Sequence, residues 1–392
     1  MTITHIRRAD LEPIPDRRKT NSPAMIMRAA LDHGPVARST VARIAGLSPA
    51  AVSRQCAELI HRGLLREMPG PHHSPAGRPH VPVDIDTGRP VVYGAHIAVR
   101  HTTLAVLDLR GQVVARQRIP HRVAGEPGLV LRDIAAALPG FLAEAGAGGR
   151  PVLGLGLAAG GWVDSDAGVI ADHPLLGWHD VHARDMLERL TGLPVRVDGH
   201  ARAMVRAEDL FGDQRARSSA VHLFAGNVID AAFAVGGTVQ HGPRSAAGAV
   251  AHLAVPGRTD PCECGAAGCL QAVASDSALA AQAGQETSRL LTAAVAGDRA
   301  AVAVFRARAR ALGAVAAFLV SLLNPGVLIV AEAGVMLLPG CLDVVRAEVR
   351  QRTRHRPWDR PPVVASSFGR DVLAVAAGTV MLAEIYADPV AT

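Results

Sequence analysis

His252, Cys262, Cys264 and Cys269 follow one another with the spacing His-x9-Cys-x-Cys-x4-Cys, and nothing else restricts the folding of this 392-residue chain as tightly. Three thiols and an imidazole are the donor set of tetrahedral Cys3His zinc sites. An ion held by all four would pin the segment into a knuckle, and Gly265 and Gly268 stand where such a knuckle has to turn. With every coordination position filled by protein, no place remains for a catalytic water, so the expected metal is a structural Zn2+. Three unligated thiols are the competing reading. Cys56 and Cys341 stand apart from the cluster and read as ordinary buried cysteines.

Charge divides the chain unevenly. Residues 1–80 carry 12 Arg/Lys against 6 Asp/Glu, while the remaining 29 basic and 29 acidic residues cancel, so the whole formal charge of +6 sits in the first fifth. A basic module beside a neutral body is the footprint of nucleic-acid binding, with a solvated basic tail as the alternative. The chain as a whole is 49% hydrophobic and only 3% aromatic, which predicts aliphatic cores. The most apolar stretch, 311–338, breaks at Asn324-Pro325-Gly326, too early for a membrane span of about 20 residues. No secretory signal opens the chain, so the expected location is cytoplasmic, with no membrane partner.

Residues 1–20 read as a flexible arm. From Pro23 the apolar spacing is helical and ends at Gly34-Pro35. A second helix is expected near 38–45 and a third from Pro49, capped by Ser48. A short strand near 64–67, a loop rich in Pro, Gly and His, and an alternating strand over 80–85 complete a winged helix-turn-helix over 21–87. The third helix would enter the major groove of double-stranded DNA by its N-terminal end. Ser53, Arg54 and Gln55 are placed to meet bases, Arg38, Ser39, Thr40 and Ser48 the backbone, and Arg78 a phosphate or the minor groove. A three-helix module that never meets DNA is the alternative. Downstream, strands expected at 91–98, 103–107, 152–158 and 193–197 alternate with helical patterns, which argues for an α/β body over 88–392.

Gly46-Leu47-Ser48, Gly77-Arg78-Pro79, Gly160-Gly161-Trp162-Val163-Asp164, Leu176-Gly177-Trp178, Ala207-Glu208, Phe211-Gly212, the cysteine knuckle and Leu323-Asn324-Pro325 occur in the order of a known family. By these motifs the chain resembles the ROK family of repressors, open reading frames and sugar kinases, from about Ser22 to Ala387. The resemblance implies a two-lobed, actin-like (ribonuclease H-like) sugar-kinase fold, a sugar cleft between the lobes, and homodimers or homotetramers. The N-terminal module marks the repressor branch.

Against that pattern the kinase parts are altered. The family's first phosphate turn, G-x-D-x-G-x-T, reads Gly94-Ala95-His96-Ile97-Ala98-Val99-Arg100, and of the second turn, near 225–232, only Gly226 is left among the glycines. The Asn-Asp pair that carries the family's catalytic base falls on Gly199-His200. The family's G-E-x-G-H reads Gly248-Ala249-Val250-Ala251-His252, and the Glu after the knuckle is Gln271. Asp198, His200, His252 and Gln271 are the remaining candidates for ligand contact. The expected protein is therefore not an enzyme. It is a transcription regulator, in the repressor sense, whose sugar-kinase-like body senses a sugar or related effector or holds the oligomer together. An active ATP-dependent sugar kinase fused to a DNA-binding module, and a ligand-independent architectural repressor, are the alternatives.

Overall fold

A computed structural model describes residues 21–69, 81–355 and 360–391. Three helices open it: α1 (Ser22–His33), α2 (Arg38–Ala45) and α3 (Pro49–His61). Asn21 caps α1 by accepting the Ala24 N–H, and Ser48 caps α3 by accepting that of Ala51. Between α2 and α3 the chain reverses at Gly46, whose φ of +65° suits glycine. Two short antiparallel strands follow, β1 (Leu65–Glu67) and β2 (Val83–Ile85), with Leu65 opposite Ile85.

The second of these strands corrects the sequence reading. It is shorter than expected among the described residues and does not alternate, because all three of its residues are buried. Asp84 receives Arg110 of the body at 2.6 Å instead of facing water. Arg110 also donates to the Leu31 carbonyl at 3.0 Å.

The first lobe comprises β3 (Val91–Ile97), β4 (His101–Leu107), β5 (Val113–Pro120), α4 (Pro127–Glu144), β6 (Val152–Ala159), β7 (Trp162–Asp164), β8 (Val169–His173), β9 (Trp178–Val181), α5 (Ala183–Thr191), β10 (Val195–Gly199) and α6 (His200–Phe211). Its main sheet runs β10-β6-β3-β4-β5, and β7-β8-β9 forms a small separate sheet. The second lobe holds β11 (Ser219–Ala225), β12 (Ile229–Val235), β13 (Thr238–Val239), α7 (Leu270–Ala274), α8 (Asp276–Ala283), α9 (Thr287–Val295), α10 (Arg299–Leu323), β14 (Val327–Glu332), α11 (Ala333–Leu337), α12 (Cys341–Arg352) and β15 (Val363–Ala365). Its sheet order is β13-β12-β11-β14-β15. Each sheet is a three-stranded antiparallel meander extended by two parallel strands, so the lobes repeat one topology. Strands β3 and β14 are buried along their whole length, His96 and Glu332 included.

The closing helix α13 (Val372–Ala387) returns to the first lobe and lies directly on its sheet. Gly94 and Gly156 permit this approach: a Cβ on either would fall 2.5 Å from Gly378 N or 2.1 Å from Ala377 O. In the second lobe Arg308 leaves the middle of α10 with no exposed side-chain surface, reaching Asp276 at 2.8 Å and Glu332, equally buried, at 3.2 Å.

The N-terminal module is docked on this body through a continuous apolar core. Ile26, Met27, Val83 and Ile85 pack in one cluster with Leu109, Leu210, Ile385 and Tyr386. Charged contacts surround it. Arg28 donates to the Asp209 carbonyl at 3.0 Å, and Arg217 meets Asp32 at 2.8 Å. None of the described helices is long and apolar enough to cross a membrane.

Candidate functional site

Where β10 ends, Gly199 is the N-cap of α6, and His200 becomes the helix's first residue at the floor of the interlobe cleft. Its ring lies between the lobes. His200 Nδ1 is 3.3 Å from Nε2 of His96 on β3, and the two rings are parallel within 7°. On its other side, Nε2 is 2.9 Å from Asp230 of β12, and Phe224 of β11 meets the ring edge-on. The carboxylate accepts from Nε2–H, which leaves Nδ1 as the acceptor for His96; these tautomers are inferred from the hydrogen bonds. The result is an Asp230–His200–His96 relay assembled from both sheets.

More histidines surround it. Burial pushes the His173 imidazole down to about 4, with the nearby His200 adding to the effect. Burial, again with His200 second, takes His222 down to about 3. His96 also falls well below its usual value, first from burial. Such groups stay neutral in the fold but protonate in the unfolded chain as pH falls below 6.5. Their stabilising contribution is complete above 6.5 and disappears as pH descends towards 4 and 3. Each costs about 1.4 kcal/mol per pH unit in that window. Urea unfolding of the zinc-loaded protein is expected to lose on the order of 6 kcal/mol between pH 7.5 and 5. His222→Leu should reduce that loss by roughly a third, which separates it from metal release. A flat profile, or one that His222→Leu leaves unchanged, contradicts this account.

Beside the relay, Arg202 is buried and fully engaged. It donates to Asp198 at 2.7 Å and to the carbonyls of Ser245 and Val163 at 2.8 Å each. Asp198 also takes the Ser165 hydroxyl and the Gly199 N–H. This corrects one expectation: Asp198 turns into this buried knot and does not line the cleft. His200, His252 and Gln271 do line it. Gln271 is already occupied, however, accepting the Ile229 N–H at 3.1 Å and donating to the Asn227 carbonyl at 2.5 Å, so it braces the β11–β12 turn. The cleft encloses a cavity of about 570 Å3. Trp162 stands at one wall with the Arg244 guanidinium stacked 4.4 Å from its ring centre.

The cysteine segment forms the facing wall. Ligand atoms of His252, Cys262, Cys264 and Cys269 all lie within 4.8 Å of one another. The Cys264 and Cys269 sulfurs are 3.6 Å apart, and Cys262 Sγ is 3.5 Å from His252 Nδ1. A tetrahedron with zinc–sulfur bonds of about 2.3 Å has edges of about 3.8 Å, so these four residues fit a zinc ion. Gly265 and Gly268, at φ of +87° and +73°, make the turns foreseen for them, and a Cβ on Gly268 would strike the Arg258 carbonyl at 2.4 Å.

On the N-terminal module, Ser39, Ser53 and Arg54 are exposed, Thr40 and Gln55 half-buried, and Ser48 is spent on its cap. Arg38 pairs with Glu67 at 2.6 Å, so it is not a free phosphate contact in this state. Arg78 and Gly77-Arg78-Pro79 lie outside the described residues. The site residues that sequence reasoning missed are Arg202, as a clamp, and the pairing of His96 and Asp230 with His200. No local spacing signals that trio, since it arises from strand order.

Comparison with known proteins agrees with this architecture. The family model described as "ROK family" matches residues 92–384. A transcriptional regulator of Mycobacterium tuberculosis is 33% identical over 388 residues, covering 93% of this chain and 86% of that one. A xylose repressor of Caldicellulosiruptor bescii is 24% identical, over 84% of this chain and 87% of its own. Among solved structures, a ROK family transcriptional regulator, homologue of the E. coli MLC protein, superposes with a TM-score of 0.77 at 22% identity, covering 95% of this chain and 97% of that one. With a family model spanning both lobes, a relative a third identical along nearly its whole length, and the same fold from end to end, the chain belongs to the ROK family.

Proposed function

We propose that this protein is a DNA-binding transcription regulator, acting as a repressor. In this reading residues 21–87 form a winged helix-turn-helix, and residues 88–392 form a sugar-kinase-like body that binds a small effector in its cleft. The observation that carries it is the face of α3. A capped turn presents Ser53 and Arg54 to solvent at the start of a helix, in the segment that holds all the chain's net positive charge. Relatives matched along most of their length are named a transcriptional regulator and a xylose repressor, which favours the same reading. The partners are an operator duplex and a second copy of the chain, as a dimer or tetramer; the effector class implied by the resemblance is a sugar or a derivative of one. The metal is a structural zinc on His252, Cys262, Cys264 and Cys269, and the compartment is the cytoplasm.

The body is not a kinase in this reading. Phosphoryl transfer needs converging backbone N–H groups and a base on the sugar hydroxyl. Here the first turn carries His96, and His200 at the base position is committed on one side to Asp230 and on the other to His96. Asp230 also places negative charge near the second turn.

Arg54→Ala is expected to weaken specific operator binding by about 1–3 kcal/mol, roughly five- to 150-fold, in mobility shifts. Arg78→Ala should weaken binding to all sequences alike. Shifts unchanged by both substitutions would remove the DNA-binding assignment. Turnover of ATP with a hexose that vanishes in His200→Ala would establish the kinase instead.

A further inference from the structure

Taking the N-terminal module as the unit that meets DNA, we infer that Glu67 limits how tightly it does so: its carboxylate occupies Arg38 and withholds that guanidinium from the phosphate backbone. Between residues 21 and 87 the described acids are Asp32, Glu58, Glu67, Asp84 and Asp86. All but Glu67 serve elsewhere. Asp32 holds Arg28 and Arg217, and Asp84 holds Arg110. Asp86 accepts the Gly88 and Arg89 N–H groups, and Glu58 pairs with Arg62 one turn further along α3. Glu67 reaches instead from β1 to the start of α2.

Arg38 stands where a phosphate would meet the module. It is the first residue of α2, whose N-cap, Ala37, contributes no side-chain acceptor, whereas Asn21 and Ser48 cap α1 and α3. In helix-turn-helix docking the helix ahead of the reading helix crosses the DNA backbone, and cations there bind phosphate. In the free protein Arg38 Nη2 donates to Glu67 Oε1 at 2.6 Å, with the carboxylate side chain half exposed. The contact is single rather than a two-pronged fork, since Arg38 Nε has no hydrogen-bond partner among the described residues.

An exposed pair of this kind is weak enough for a phosphate to part. The phosphate must then stand beside the displaced carboxylate, well inside the screening length of ~8 Å. Backbone contacts carry no sequence information. Glu67 therefore lowers affinity for all DNA alike and leaves a larger share of the binding to base contacts, such as those open to Ser53 and Arg54.

Fluorescence anisotropy of the zinc-loaded full chain tests this with a labelled duplex of about 30 base pairs and mixed sequence, between about 50 and 200 mM salt. Glu67→Gln keeps the length of the side chain and removes its charge. It is expected to bind about three- to tenfold tighter at the lower salt, with a log–log salt slope steeper by roughly 0.9, the value of one more phosphate contact. Arg38→Ala should change binding by less than about twofold in the wild-type background and weaken it at least about threefold in the Glu67→Gln background. A pair that only braced β1 against α2 would give the opposite sign, with Glu67→Gln binding no tighter or more weakly. That result, or an Arg38→Ala loss of equal size in both backgrounds, overturns the inference while wild-type binding keeps the regulator reading. Absence of binding by wild type and Glu67→Gln alike removes the DNA-binding reading and this inference with it, so the two failures are told apart.

Discussion

Cys264→Ser is expected to strip the zinc from the protein and to unfold the segment from His252 to Cys269. Elemental analysis should find one zinc per chain before the substitution and none after it. Thiolate coordination couples metal binding to local folding, with about 10–16 kcal/mol available at structural sites in small zinc peptides. Even a fraction of that rivals the ~5–15 kcal/mol that holds a whole domain together. Cys264 is exposed, so exchanging its sulfur for oxygen empties no core, and the loss reports the metal rather than packing. Because His252, Cys262 and Glu263 also line the cleft, its wall should loosen together with the knuckle. Cys341→Ser is the control: its thiol is buried away from the cluster and should retain the zinc. Full metal content and an unchanged melting temperature in Cys264→Ser would refute the site.

The second large effect is expected at Arg308. Its guanidinium sits without solvent contact between Asp276 and Glu332. Glu332 has no exposed side-chain surface and spends its other oxygen on the Val335 N–H at 2.8 Å. Arg308→Ala leaves that carboxylate buried and unbalanced, which should cost about 3–5 kcal/mol in urea unfolding. Joint replacement by Arg308→Met and Glu332→Gln removes both charges and should recover much of the loss, because the cost lies in stranding one ion rather than in lacking a pair. A loss under about 1 kcal/mol for Arg308→Ala would mean that water reaches the triad.

How far the sequence spoke for the fold depended on distance along the chain. α1, α2 and α3 were legible because their apolar stripes and end signals lie within a dozen residues, and the His252-Cys262-Cys264-Cys269 cluster because its donors lie close together. β2 was misjudged because alternation assumes one wet face, while docking of the module on the body buries both and hands Asp84 to Arg110. At the end of β10, composition could not tell which of Asp198 and His200 enters the cleft. The helix start decides it, turning His200 inward and leaving Asp198 to Arg202. Gln271 and Arg38 were assigned outward roles because their partners, at the β11–β12 turn and at Glu67, approach only after folding.

One helix touches both ends of the molecule's business. α6 begins in the cavity wall at His200 and, about 18 Å further on, ends beside the residues that hold α1. Whatever occupies the cleft and whatever holds the N-terminal module thus act on the same rigid rod, and thermodynamic reciprocity governs the exchange between them. If a ligand lowers operator affinity tenfold, the operator must lower ligand affinity tenfold, a coupling of about 1.4 kcal/mol. That is on the order of a single hydrogen-bonded ion pair such as Arg28 with Asp209, so the gain or loss of one contact at the far end of α6 is enough to make the two binding events answer to each other.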